Sequence, residues 1–163
     1  MLYRGEEVFI NYGHFPNLEL LCDYGFVSTG SNPFNFECVT VNIIRMEPVK
    51  IMINPNDGSL DYGSLAVLRS YQNPSEQVEQ ILAKDNDLSM NTLFMKPVSD
   101  SIEEDVYSLI ASFVDEAIYN SKRGVEWALE NNEDMIEKYL TARVQVLEKD
   151  LDYMKEKFTD LLF

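Results

Sequence analysis

Over the last quarter of the chain, apolar residues recur in steps of four and three: Leu140, Val144, Leu147, Leu151, Met154, Phe158 and Leu161, with Ile136 one turn earlier. That spacing is a heptad stripe. It predicts one long helix over residues 133 to 162 that must bury a continuous apolar seam. The seam is only about four heptads long, and ready partners precede it in the chain. It is therefore expected to pack inside its own domain, leaving a monomer, rather than to form a dimeric coiled coil. The nearest partner starts at Ser101, which has capping-box spacing to Glu104. It continues through Val106, Leu109, Ile110, Phe113, Val114 and Ala117 at helical spacing. This helix is expected to stop at Lys122-Arg123-Gly124, with a short helical turn around Trp127 after it.

Upstream the pattern changes twice. Residues 38 to 44 alternate Val39, Val41 and Ile43 with Thr40 and Asn42, which reads as a strand. Asn54-Pro55-Asn56-Asp57-Gly58 reads as a turn. Leu65, Leu68 and Tyr71 then mark a helix, and Asn73-Pro74-Ser75-Glu76 has the form of another helix start. Before residue 38, the run 28 to 35 is a loop rich in Ser, Gly, Asn and Pro. Residues 17 to 24 read as a short helix with Asn17 as N-cap and Leu18, Leu21 and Cys22 on one side. Val8, Phe9 and Ile10 form a strand-like run ahead of it. The fold expected is mainly α.

Composition narrows the function classes. The 163 residues carry a formal charge of -15. Such a field repels a phosphate backbone, so nucleic acid is not expected as a partner; it would favour a basic partner, though acidic surfaces mostly serve solubility. A single histidine, His14, leaves no His-based metal cluster and no Ser-His-Asp triad. Cys22 and Cys38 form no CxxC pair and read as reduced thiols of an intracellular protein. No apolar run approaches the ~18 residues of a membrane span, and the N-terminus lacks a signal-peptide layout. Asp85-Asn86-Asp87 has calcium-loop acidity, but Met90 stands where the loop glycine belongs and Lys96 where its bidentate Glu belongs. No glycine-rich phosphate loop occurs. The acidic residues of the last helices are read as a solvated face.

The sharpest motif lies at the start. "GEEVFINYG", followed closely by "NLELLCDYGFV", places two tyrosines and a phenylalanine beside glycines able to take unusual backbone angles. The composite resembles the end of the SET domain of protein methyltransferases. It most resembles the branch typified by the Rubisco large-subunit lysine methyltransferases. The family pattern runs G-E-x-[VIL]-x-I-x-Y-[GD], then N-x-E-L-L-x-x-Y-G-F, and residues 5 to 26 match it nearly throughout. In that branch a helical substrate-binding domain follows, and residues 28 to 163 have a fitting length and character, with Leu65-x-x-Leu68-Arg69 as a looser likeness. The resemblance implies two parts: residues 1 to 27 as the C-terminal end of a SET domain, and residues 28 to 163 as a helical substrate-binding domain with a long C-terminal helix.

The same resemblance implies chemistry. Methyl transfer from S-adenosylmethionine to a lysine amine is an in-line displacement. A narrow aromatic channel orients the neutral amine and excludes water, and its ring faces favour the cationic centre. Tyr12 is implied as the catalytic tyrosine. Tyr24 would line the lysine channel and bond the amine. Phe26 would limit how many methyl groups fit, and weakly touch the cofactor. The family's upstream glycine-containing segment and Asn-His motif have no counterpart here, and His14-Phe15-Pro16 replaces small polar residues common in that loop. The chain therefore reads as the C-terminal part of such an enzyme, needing an upstream SET-domain segment and expected to be inactive and to bind no S-adenosylmethionine by itself. Two alternatives stay open: a stand-alone helical interaction module without catalysis, and a parent enzyme that methylates histidine.

Overall fold

A computed structural model describes residues 13–28, 32–43, 47–72 and 94–162, with side chains as far as Lys157. The strand expected at 8–10, Tyr12, the helix start at 73–76, the calcium-like run at 85–87, the end of the strand at 44, and the side chains of Phe158 and Leu161 lie outside the described residues.

The fold is mainly α. A short helix α1 (Asn17–Glu19) runs directly into a π-helical turn, Leu20–Tyr24. Strands β1 (Glu37–Val41) and β2 (Val49–Ile53) form an antiparallel pair, with Val39 opposite Ile51 and Val41 opposite Val49. Helix α2 (Tyr62–Gln72) follows, and two long helices, α3 (Asp100–Asn131) and α4 (Asp134–Leu162), close the chain. Among the described residues no helix is long and apolar enough to cross a membrane.

The heptad stripe behaves as the sequence predicts. Val144, Leu147 and Met154 are buried, in one core with Val106, Ile110, Val114 and Ile118 of α3. The inward face of the hairpin (Val39, Val41, Ile51, Ile53) and Leu65 and Leu68 of α2 complete that core. Alternation in β1 puts its valines inward and Thr40 outward, as expected for a half-buried strand.

Several local expectations are corrected. Helix α3 is capped by Ser99, whose side chain accepts from the Ile102 N–H, and not by Ser101. It also passes through Gly124 without breaking and ends at Asn132 in the left-handed conformation. The physical reason is close helix packing: a Cβ on Gly124 would lie 2.7 Å from Leu140 Cδ1 on α4. That contact favours glycine inside the helix despite its ~1 kcal/mol propensity cost. In α2 the buried residues are Leu65, Leu68 and Arg69, while Tyr71 is exposed. The expected strand at 38–44 begins one residue earlier and stops at Val41, and its partner β2 carries no signal strong enough to have been read.

The turn at 54–58 packs against α4. Gly58 adopts φ 74 and its N–H bonds the Asn54 carbonyl at 2.9 Å. A Cβ there would fall 2.5 Å from the Lys149 carbonyl oxygen, so the backbone approach requires glycine. Lys149 Nζ donates to the Pro55 carbonyl at 2.9 Å, closing the contact.

The acidic residues are not all solvated. Glu103 is buried and binds Arg69 in a bidentate pair, Nε to Oε1 at 2.8 Å and Nη2 to Oε2 at 2.7 Å. Arg69 Nη1 also donates to the Phe94 carbonyl at 3.1 Å. Glu37 is buried with Arg143 3.8 Å away, too far for a hydrogen bond. Desolvation outweighs the Arg143 attraction and pushes the Glu37 carboxyl up to about 7. Asp150 is fully buried, neither of its carboxylate oxygens has a hydrogen-bond partner among the described residues, and burial pushes it up to about 7.

Glu37 and Asp150 both have folded pKa values above their ordinary 4.5 and 3.8, so the folded chain holds protons that the unfolded chain releases. Stability therefore rises as pH falls from about 7 toward those ordinary values, and is lost again as pH climbs to about 7. Thermal midpoints measured by circular dichroism across that window check the sign. Asp150→Asn raises the midpoint at about pH 8, by the equivalent of ~1–3 kcal/mol for a buried unpaired group, and flattens the slope. Leu147→Asp, which puts a charge where the side chain is fully buried, abolishes the cooperative transition.

Candidate functional site

The segment at 13–28 is built to display aromatic rings. Proline 16 takes the N-cap position with φ -67, and Asn17, expected to be the cap, is instead buried as the first helical residue. Its own N–H is satisfied from outside the helix, by Asn35 Oδ1 at 2.8 Å. Its side-chain oxygen accepts from the Ser28 N–H at 3.3 Å and from Asn32 Nδ2 at 3.2 Å. Asn32 Nδ2 also reaches the Phe15 carbonyl at 3.1 Å. Three asparagines thus tie the helix to the loop that follows it.

The next turn widens. Residues 20–24 bond in the i→i+5 pattern of a π-helix, which ends on Gly25 at φ 75. The Gly25 N–H bonds the Leu21 carbonyl at 3.1 Å and the Phe26 N–H bonds the Leu20 carbonyl at 3.3 Å. π-turns of this kind occur mostly as single turns and often at functional positions. The buried face is offset by one residue from the expected one, already in α1: Asn17 and Leu20 are buried, whereas Leu18 and Cys22 are exposed and Leu21 is half-buried. The face expected from α-helical spacing is therefore corrected.

The result is a surface cluster of rings. Tyr24 is 44% exposed and Phe26 36%, with ring centroids 6.4 Å apart and tilted. Phe15 lies 5.9 Å from Tyr24, and His14 stacks on Phe34 at 4.1 Å. Tilted rings at these separations hold one another in place while leaving ring faces and edges at the surface. Such a cluster can orient an alkyl chain and favour a cationic group over a ring face. No three His, Cys, Asp or Glu side chains among the described residues converge to hold a metal ion. Cys22 and Cys38 are free thiols.

Two of the three site residues read from the sequence, Tyr24 and Phe26, thus lie side by side. Tyr12 falls outside the described residues. The sequence reading gave no role to Phe15, which packs beside Tyr24, to Phe34, which stacks on His14, or to the Asn17–Asn32–Asn35 network. The signal for them is the density of asparagine and aromatic residues in "NYGHFPN" and "SNPFNF". No family model matches the chain, and no curated protein matches it.

Asn17→Ala tests the network. It strips partners from the Ser28 N–H and from Asn32, at a cost of ~1–3 kcal/mol. The expected outcome is faster amide exchange at Ser28 and a lower thermal midpoint, with the far-UV spectrum of α3 and α4 retained.

Proposed function

We propose that the chain is the C-terminal part of an S-adenosylmethionine-dependent protein-lysine N-methyltransferase. It provides protein-substrate recognition and the tyrosine-containing end of the active site. The observation that carries this reading is the composite motif at residues 5 to 26, supported by the side-by-side rings of Tyr24 and Phe26. In this reading the Tyr12 hydroxyl stands at the methyl-transfer centre. Tyr24 and Phe26 line the path of the lysine side chain, holding its methylene stem and excluding water from the amine. When bound, S-adenosylmethionine supplies the electrophilic methyl group. The cofactor-binding portion belongs to the upstream SET-domain segment.

The helical part carries the second role. Residues 99 to 163 contain sixteen Asp or Glu and seven Lys or Arg, a net of -9 by subtraction. An acidic surface raises the encounter rate with a protein whose target lysine lies in basic surroundings. Burial of the heptad stripe within the α3–α4 core supports a monomeric module over a coiled-coil dimer.

The test joins this chain to a SET-domain segment that carries the Asn-His motif. Wild type then methylates lysine in a basic protein, and Tyr12→Phe lowers kcat by ~10²-fold with cofactor affinity near normal, as for a hydroxyl used mainly in the transition state. Calorimetric titration of the chain by itself with S-adenosylmethionine gives no saturable heat. Equal turnover of the two joined proteins removes Tyr12 from the methyl-transfer centre, micromolar cofactor binding by the chain alone overturns the division of the site between two segments, and absence of lysine methylation by the joined wild type favours a module without catalysis.

A further inference from the structure

The two edges of the β1–β2 hairpin are treated differently by the rest of the chain. The outer edge of β2 is sealed. The Met52 N–H donates to Asp61 Oδ2 at 3.0 Å, the Met52 carbonyl accepts from the Asp61 N–H at 3.2 Å, and the Lys50 carbonyl accepts from Ser64 Oγ at 2.6 Å. Because Met52 and Lys50 turn these groups away from β1, their register partners Cys38 and Thr40 form non-hydrogen-bonded pairs with them. Cys38 and Thr40 therefore aim their own N–H and C=O groups at the outer edge of β1. There, among the described residues, the Cys38 carbonyl accepts only a long bond from Arg143 Nη2, at 3.4 Å. The Thr40 backbone groups bond nothing among the described residues, and Thr40 is exposed.

This edge opens onto a groove of about 480 Å³ between β1 and the two long helices. Phe113, Ala117 and Leu140 supply an apolar wall, and Glu116 and Asn120 stand on the α3 side. The volume falls in the ~300–1,000 Å³ range of ligand sites.

We propose that the outer edge of β1 is a strand-acceptor site that takes an extended, basic segment of a partner protein. Backbone groups two residues apart, at Cys38 and Thr40, match the repeat of an added strand, which supplies a donor and an acceptor at each position. One side chain of the added strand packs against Phe113 and Leu140. The charge of the occupant follows from the exposed carboxylate of the groove and from the charge of the chain as a whole. Arg143, the cation of the groove lining, faces Glu37 and the Cys38 carbonyl, whereas Glu116 is exposed at the rim. The chain as a whole carries -15, so a basic segment is attracted and a second copy of this chain is repelled. The proposal stands apart from methyl transfer: it assigns a docking edge, not a reacting group, and a segment bound there without being methylated leaves it intact.

The probe is a synthetic peptide of about ten residues alternating Lys with Val or Thr, alongside a counterpart with Glu for every Lys. Binding is read by fluorescence anisotropy, and occupancy of the edge by the rate of Cys38 alkylation in a Cys22→Ser background. The expected result is saturable binding of the Lys peptide only, with Cys38 alkylation slowed about tenfold by it. Thr40→Pro removes the edge donor without touching the β2 ladder, and weakens binding about tenfold. Asn120→Trp, at an exposed helical position, fills the groove and abolishes binding whether or not Thr40→Pro folds. Unslowed Cys38 alkylation, wild-type affinity in Asn120→Trp, or equal binding of both peptides overturns the proposal. So does a dimer by light scattering whose Cys38 is protected without peptide, which would make a second copy the occupant.

Discussion

The arrangement of the helical core depends on one buried ion pair. Arg69 and Glu103 are 3% and 2% exposed, and a single charge at that depth would be prohibitively costly. The cost is contained because the guanidinium fork and the carboxylate meet at two points and their remaining groups are used. Phe94 gives a carbonyl to Arg69, and Glu103 Oε1 also accepts from the Val98 N–H at 3.3 Å. Bidentate geometry tolerates little rotation. The pair therefore fixes the last turn of α2 against the first turn of α3, next to the Ser99 cap. From that anchor, Val106, Ile110, Val114 and Ile118 descend along one side of α3 to meet Val144, Leu147 and Met154. Losing either partner would leave the other buried and uncompensated.

The other two buried carboxylates show the opposite situation. Glu37 has a cation nearby but out of bonding reach, and Asp150 has no partner for either oxygen among the described residues. Both are held toward the neutral form by desolvation. A strongly acidic chain thus pays for its charge on the outside by self-repulsion, and on the inside by keeping two carboxyls close to protonation. The same acidity shapes its surface: the exposed side of α3 presents Glu104, Asp105, Asp115 and Glu116.

Much of this was legible in the sequence, and the failures have physical causes. The 4–3 stripe is long enough to identify α4 and the face it buries. The alternation in β1 likewise identifies its inward residues. Gly124 misled because propensity treats glycine as a stop, whereas its missing Cβ is what lets Leu140 approach. Glu103 reads as part of a solvated acidic face because its contact with Arg69 spans 34 positions, which no local window can see. At the candidate site, Tyr24 and Phe26 were legible from a motif. The outward turn that displays them was not, because a single π-turn leaves no periodic signal.

The α3–α4 connection carries a consequence for the order in which the chain assembles. Asn132 and Glu133 are the only residues between the two long helices, and the Asn132 and Glu133 N–H groups fold back onto the Leu129 and Ala128 carbonyls. Closing that link costs almost no loop entropy, so the antiparallel pair of helices is a unit that local contacts suffice to form. The contacts that bring the hairpin onto it are of another kind. Arg143 reaches Cys38 across 105 positions, and Lys149 reaches Pro55 across 94. Such closures carry a larger entropic penalty than the local link between the helices and gain little until a helical surface exists to receive them. Contact locality thus favours the helix pair as the template, with the sheet docking onto it afterwards.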